Sequence, residues 1–276
     1  MNATRRFLAQ PEGAAGAVLL GFLVLMALSA PWLFPRDPLS IAGEPLLRPF
    51  QDMAHPLGTD RLGRDVLAGL FHGARTSLLV GLAAAVSAIA VGSIVGTLAG
   101  FGGRWLDETL MRITDAFQTV PGFLLALAFV SIVGPSLPGM VIAIALGAWP
   151  PPARMVRAEV LSIRERDYVA AARIVGMRPL EIAFRQILPN ALPPTLSLAA
   201  VIVASAILTE AALSFLGLGD PNRVTWGAMI AEGRAVLRSA PYLSIIPGIA
   251  LVASVLGVYL TGEGLVEANA VRRSEA

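Results

Sequence analysis

The 276-residue chain contains no cysteine, and His55 and His72 are its only two histidines. Without cysteine there is no disulfide framework and no thiolate chemistry, although this does not identify a compartment. Two imidazoles fall short of a metal cage built from nitrogen and sulfur ligands. Lysine is also missing, since all 21 basic residues are arginine. A phosphate-binding P-loop needs Gly-Lys-Ser/Thr, so any nucleotide hydrolysis must take place on another chain. Charge is scarce too: charged residues make up 14% of the chain and hydrophobic ones 55%. Soluble domains run at roughly 25% and 45–50%. The balance reads as an all-α, multi-spanning membrane protein. Its net charge of +2 comes from arginines near the ends of apolar runs, which points to topology and away from nucleic-acid binding.

Taken in order, residues 1–13 form a short segment carrying Arg5 and Arg6, and residues 14–34 form the first expected span. That run exceeds the apolar core of a signal peptide, about 7–15 residues. Residues 35–75 are polar and rich in proline. Within them His55 to Leu67 reads H-P-L-G-T-D-R-L-G-R-D-V-L. Gly58 and Gly63, with Thr59, Asp60, Arg64 and Asp65, predict a hydrogen-bonded turn entering a helix, with Asp60 or Asp65 as its cap. No activated nucleophile or carboxylate pair is present, so this reads as a folded connection and not a catalytic site.

The second span is expected over 76–100, where Gly92 and Gly96 suit close helix packing. A turn at 101–107 leads to a third span over 108–133, an outer turn at 134–138 and a fourth span over 139–155. Pro121 and Gly122 predict a kink in the third span. Asp115, inside that span, is expected to pair with Arg112 along the helix. A carboxylate within a membrane is a candidate for function, and Glu210 is the second one. Glu210 lies near the outer end of a fifth span over 191–216, and could serve a pathway, a subunit contact or structural hydrogen bonding. The outer loop 217–241 holds W-G-A-M-I-A-E-G-R from Trp226 to Arg234, an expected amphipathic helix. A sixth span over 242–262 and a tail over 263–276 with Arg272 and Arg273 complete the chain.

The polar island between spans four and five, residues 156–190, is the most informative stretch. Tyr168, Ala171, Ala172 and Val175 fall on one helical face, and Gly176 stands where a C-terminal cap belongs. Pro179 suits the first position of a second helix, with Leu180, Phe184, Ile187 and Leu188 as its apolar face and Pro189 as its end. Helices this short need a partner or the body of their own chain. Small residues ringed by arginines suit close packing into a groove on another protein.

Ala171-Ala172, then Gly176, then Ile187-Leu188-Pro189 resembles the cytoplasmic coupling loop of permease subunits from binding-protein-dependent ABC importers. The segment from His55 to Leu67 is similar to the stretch before the second core span in the dipeptide, oligopeptide and nickel branch of that family. The family signature begins with glutamate where this chain has Ala170, which removes one polar contact. The resemblance implies a type I ABC importer permease fold with six transmembrane helices, residues 76–262 forming a single permease core. It also implies an inner-membrane location with both termini cytoplasmic, a homologous second permease, two ATP-binding subunits and an external solute-binding protein. ATP and magnesium would sit on those partner subunits, with no catalytic residue, cofactor or metal in this chain. On this resemblance Arg166, Asp167, Tyr168, Ala171, Ala172, Gly176, Met177, Leu188 and Pro189 meet the ATPase. His55, Gly58, Asp60, Arg64, Asp65, Trp226 and Arg234 belong to the side facing the binding protein, where Arg223, Glu232 and Arg238 are further candidates.

With the N-terminus inside and six spans, thirteen arginines fall inside and eight outside, which agrees with the positive-inside rule. An ATPase-independent carrier or channel would need a titratable relay or filter, and Asp115 and Glu210 are too few and too near the ends. A membrane enzyme lacks a catalytic constellation. The expected cargo is di- or oligopeptides. Nickel chelates and glutathione-type solutes are alternatives, and the scarcity of histidine gives no sign of a metal relay.

Overall fold

The computed structural model describes Phe7 and residues 10–274. Arg5 and Arg6, on which part of the topology argument rests, lie outside the described residues, as do Glu275 and Ala276. Among the described residues the only β pairing is an isolated bridge between Thr59 and Asp65.

The helices are α1 (Pro11–Leu33), α2 (Val66–Phe101), α3 (Arg104–Thr119), α4 (Gly122–Val133), α5 (Leu137–Ala148), α6 (Pro150–Ile163), α7 (Asp167–Ile174), α8 (Pro179–Glu181), α9 (Leu188–Phe215), α10 (Trp226–Arg234) and α11 (Tyr242–Ser274). A π-helical stretch, Ile182–Ile187, joins α8 to α9. Four helices are long and apolar enough to cross a membrane, and a fifth span arises if α3 and α4 are counted together. The remaining expected span is not met by α5 alone, whose 12 residues reach only about 18 Å. Helical hydrogen bonds run on through Trp149 into α6, so the fourth apolar run and the following polar arm are continuous.

Helix α2 is the axis of the bundle. Its 36 residues extend about 54 Å, ten residues earlier at the start than the apolar run alone suggested. Glycines on α2 allow neighbouring backbones to come close. A Cβ at Gly92 would lie 2.7 Å from the carbonyl oxygen of Trp149, one at Gly96 would overlap the carbonyl of Ala153, and one at Gly100 would lie 2.7 Å from Val160. Three glycines spaced by one turn therefore seat α6 against the last third of α2. On another face, Gly81 receives Ile207 of α9.

Two sequence expectations change. The kink in the third span is a break of 83° between α3 and α4. Val120 is extended (φ −99°, ψ 130°), as a residue preceding proline is driven to be, and Pro121 follows with ψ 129°. Two extended residues in a row end one helix outright. Conversely, Pro189 does not end a helix: the chain continues helically through Pro189, Pro193 and Pro194 to Phe215. In the preceding π turn the N–H of Leu188 reaches back to Ala183. That wider turn loosens the ladder where the proline ring would otherwise press on the carbonyl four residues before it.

Candidate functional site

Two polar clusters occupy opposite ends of α2. At its C-terminal end stands the hairpin made by α7 and α8. Gly176 takes φ +84°, the left-handed cap that glycine adopts without strain. The N–H of Met177 returns to the carbonyl of Ala172 at 3.1 Å and that of Gly176 to Arg173 at 3.0 Å, closing α7 as a Schellman-type end. Pro179 opens α8 as its spacing predicted. Val169, Ile182 and Ile187 are buried against Val156, Val160 and Ile163 of α6, with Ala172, Met177 and Leu188 packed at the margin.

What remains outside is strongly apolar: Ile174 and Val175 are 86% and 83% exposed, and Leu180 and Tyr168 are open as well. Arg166, Asp167, Ala171 and Gly176 of the hairpin are exposed as well, as is Pro189 at the start of α9. The predicted face of Tyr168, Ala171, Ala172 and Val175 is thus split, because Val169 and Ala172 turn inward and the others outward. Two of the arginines ringing the small residues, Arg164 and Arg173, read from the sequence as suiting a partner's groove, instead fix the hairpin to α2. Arg164 donates from Nη1 to the carbonyl of Gly100 at 2.8 Å, and the Arg173 guanidinium lies 5.7 Å from the centre of the Phe101 ring. A carbonyl in the last turn of a helix lacks an intrahelical partner, so Arg164 caps the end of α2.

At the other end of α2 the chain before Val66 folds into a knot. The N–H groups of Ala42 and Gly43 donate to Gly63, that of Leu46 to Asp60, and that of Thr59 to Leu47. Gly58 and Gly63 have φ of +79° and +78°. Asp65 caps α2, its Oδ1 accepting from the N–H groups of Leu67 and Ala68, while Oδ2 meets Nδ1 of His55 at 2.8 Å. Asp60 accepts from the N–H groups of Leu62 and Arg64. The Tyr242 hydroxyl, at the start of α11, donates toward the carbonyls of Leu47 and Thr59. Arg64 reaches Glu232 of α10 at 3.5 Å. Between knot, α10 and the loop after α9 lies a cleft of about 340 Å³ whose walls include Arg61, Arg64, Asp220, Arg223, Met229 and Glu232. Burial pushes the Glu232 carboxyl above its ordinary range, and the nearby Arg64 pulls it back. Arg234 stands over the Phe215 ring at 5.0 Å.

Two assignments are corrected, those of Trp226 and Asp115, and for Glu210 the structural hydrogen bonding among the expected roles is the one found. Trp226 is not on the outer surface: it is fully buried, its indole N–H donates to Leu70 at 3.0 Å, and Gly73 on α2 makes room for its ring. A large aromatic at the first turn of a short helix is the anchor that pins α10 to the bundle. Glu210 is also fully buried and bonded within the chain, accepting from the hydroxyls of Ser77 at 2.9 Å and Ser214 at 2.7 Å. Ser77 in turn accepts from the N–H of Trp226 at 3.3 Å, so Glu210 organises α2, α9 and α10. Asp115 pairs with Arg154 of α6 at 2.6 Å and not with Arg112. Arg112 is its neighbour on the helix, but α3 lies against α6, and a guanidinium facing it from there competes successfully.

Residues 74–272 match the family described as binding-protein-dependent transport system inner membrane component, and residues 2–54 match the N-terminal transmembrane domain of oligopeptide transport permease C. The chain is 41% identical over 267 residues to the di/tripeptide transport system permease protein DppC of Pseudomonas aeruginosa, covering 94% of this chain and 88% of that one. It is 43% identical over 256 residues to the probable peptide ABC transporter permease protein y4tQ of Sinorhizobium fredii, covering 91% and 85%. Among solved structures it is similar to a chain of the MetNI methionine ABC transporter in an inward-facing conformation. There the TM-score is 0.59 at 22% identity, over 72% of this chain and 95% of that chain.

Proposed function

The chain belongs to the family of binding-protein-dependent transport system inner membrane components and has the type I ABC importer permease fold, and from that premise we propose that it forms half of a peptide-import pathway driven by ATP. Peptides are favoured as cargo by the names of its relatives and by the scarcity of imidazole for carrying nickel.

The observation that carries this reading is the exposed apolar side of the capped hairpin. Ile174, Val175 and Leu180 stand in water unless a partner covers them, and exposed apolar clusters of this kind mark interaction surfaces. The partner proposed is an ATP-hydrolysing subunit that binds ATP and magnesium, one for this hairpin and one for that of a homologous second permease. The rim of the opposite cleft, with Arg61, Arg64, Arg223 and Glu232, is the face offered to an external solute-binding protein. Both chain ends and the hairpin then lie on the cytoplasmic side of the inner membrane. Supporting that orientation, Gly13 at the start of α1 packs on Gly264 near the end of α11, while His72, near the knot, meets the carbonyl of Phe34 at the far end of α1.

Mechanically, the hairpin is a rigid attachment. Its caps, Arg164 and Arg173, and the glycine seam between α2 and α6 make it move with the spans. Closure of the ATPase pair draws the two hairpins together, and the spans rock so that the pathway opens outward to the docked binding protein. Hydrolysis then resets them.

The test is affinity purification in detergent with the products of neighbouring genes, comparing wild type with Gly176→Trp and Ala171→Arg. Both variants should lose the ATPase subunit while remaining inserted and folded. Wild type without a bound ATPase, or variants that hold it as well as wild type, would refute the docking role. Uptake of glutathione or nickel, but not of di- and tripeptides, by the reconstituted complex would replace the cargo.

A further inference from the structure

The hairpin hangs on α6, and α6 is tied to a second element with an unusual attachment. Helix α3 has 16 residues, yet only Thr114 among them is buried. Two ion pairs bind it to α6. Arg157 grips Asp107 through Nε and Nη2, the latter at 2.6 Å from Oδ2, and Arg154 donates from Nη2 to Asp115 at 2.6 Å. Asp107 and Asp115 lie about two turns apart, so the pairs brace α3 along its length and not at one point. Phe117 adds an edge-on contact with Trp149, ring centres 5.3 Å apart.

Beyond Thr119 the chain turns through 83° into α4. This elbow rests on backbone: a Cβ at Gly122 would lie 3.0 Å from the carbonyl oxygen of Gly147, and one at Gly147 would lie 2.8 Å from that of Gly122. Beyond that backbone contact Ala126 and Val130 of α4 pack with Met140, Ala143 and Ile144 of α5, so a displacement of the elbow carries α4 with it as a packed unit. With so little apolar burial to fix α3, charge decides where it sits. Arg154 and Asp115 are about half exposed, at 49% and 55%, whereas Arg157 and Asp107 are more buried and doubly bonded, so the Arg157 pair holds α3 to α6 and the Arg154 pair keeps its far end in line.

We propose that Arg154–Asp115 and Arg157–Asp107 are positioning pairs that pass the movement of hairpin-bearing α6 to the elbow at residues 120–122, and through it to α4. This inference rests on the importer reading, because it needs a hairpin driven by an ATPase.

The experiment uses the complete importer, with both permeases, the ATPase subunits and the binding protein, reconstituted in proteoliposomes. The readout is peptide imported per ATP hydrolysed, with assembly checked by size exclusion. Asp115→Asn keeps the shape of the side chain, and Arg154→Asp reverses the other partner. Each should lower the ratio about threefold or more, and the exchange Asp115→Arg with Arg154→Asp should recover at least about half of it. If wild type imports nothing on ATP, the importer reading itself fails. If wild type imports and the single variants keep its ratio, the positioning role is overturned. It is equally overturned if the double exchange assembles normally but does no better than the singles.

Discussion

Gly96→Ala tests the seam on which the hairpin depends. A methyl group at residue 96 would overlap the carbonyl oxygen of Ala153 and lie 2.9 Å from both the backbone nitrogen of Arg157 and Cβ of Val156. Two of these three obstacles are backbone and the third is the branch point of a buried valine, so α6 must back away as a unit. Overpacking of this kind costs about 1–3 kcal/mol, and the rigidity of the neighbours puts this site at the upper end. Alanine returns about 1 kcal/mol through its better helix propensity, leaving a net loss near 2 kcal/mol. Gly21 on α1 is the matched control, since nothing lies within 4 Å of a Cβ built there. At about 2–4 °C per kcal/mol for a chain of this order of size, Gly96→Ala should unfold roughly 4–8 °C below wild type. Gly21→Ala should unfold at or slightly above it. Thermal unfolding in detergent, followed by the fluorescence of the four tryptophans, reads both. Gly96→Ala as stable as Gly21→Ala would refute the close approach of α2 and α6.

Asp65→Ala removes the cap from two N–H groups of α2 and leaves His55 without its carboxylate, so the same assay should register a loss of about 0.5–2 kcal/mol, while Asp65→Asn should keep most of the capping share. Equal stability of the alanine variant and wild type would dismiss the cap. At Glu232 burial disfavours the charged form, so the folded chain holds this proton to higher pH than the unfolded chain. Wild type should therefore lose stability relative to Glu232→Gln as pH rises from about 4 to about 7, and the two should converge at the acid end. The effect is small because half of the side chain meets solvent, and a gap that does not vary with pH would contradict it.

Signals carried by one residue and its immediate neighbours were legible in the sequence. Gly176 as a helix cap, Pro179 as a helix start and an aspartate N-cap at residue 60 or 65, which the structure gives to Asp65, each follow from local backbone chemistry, and the helix Trp226–Arg234 stands where its pattern placed it. The apolar runs likewise announced the bundle. What could not be read was choice among partners distant in sequence. Arg112 and Arg154 are equally good cations for Asp115 until α3 is laid along α6. Trp226 looks like an interfacial aromatic until Gly73, more than 150 residues earlier, is found beneath its ring. Proline misled twice for a single reason. Its effect depends on the turn before it: at Pro121 an extended Val120 completes a break, whereas at Pro189 a widened turn absorbs the ring.

That widened turn has a further meaning. Helical residues advance by about 100° each, so one residue accommodated without extra length shifts everything beyond it by that angle. The stretch Ile182–Ile187 therefore sets the rotational phase of the hairpin independently of the phase of α9. Were it to tighten to an ordinary α turn, the extra residue would join the helix, and the hairpin would swivel about the axis of α9 by about 100° while moving along it by only about 1.5 Å, presenting Ile174 and Val175 to a different quarter. The π turn is in that sense a torsional index mark, a place where a single inserted or deleted residue re-aims one surface while the bundle beyond it keeps its packing.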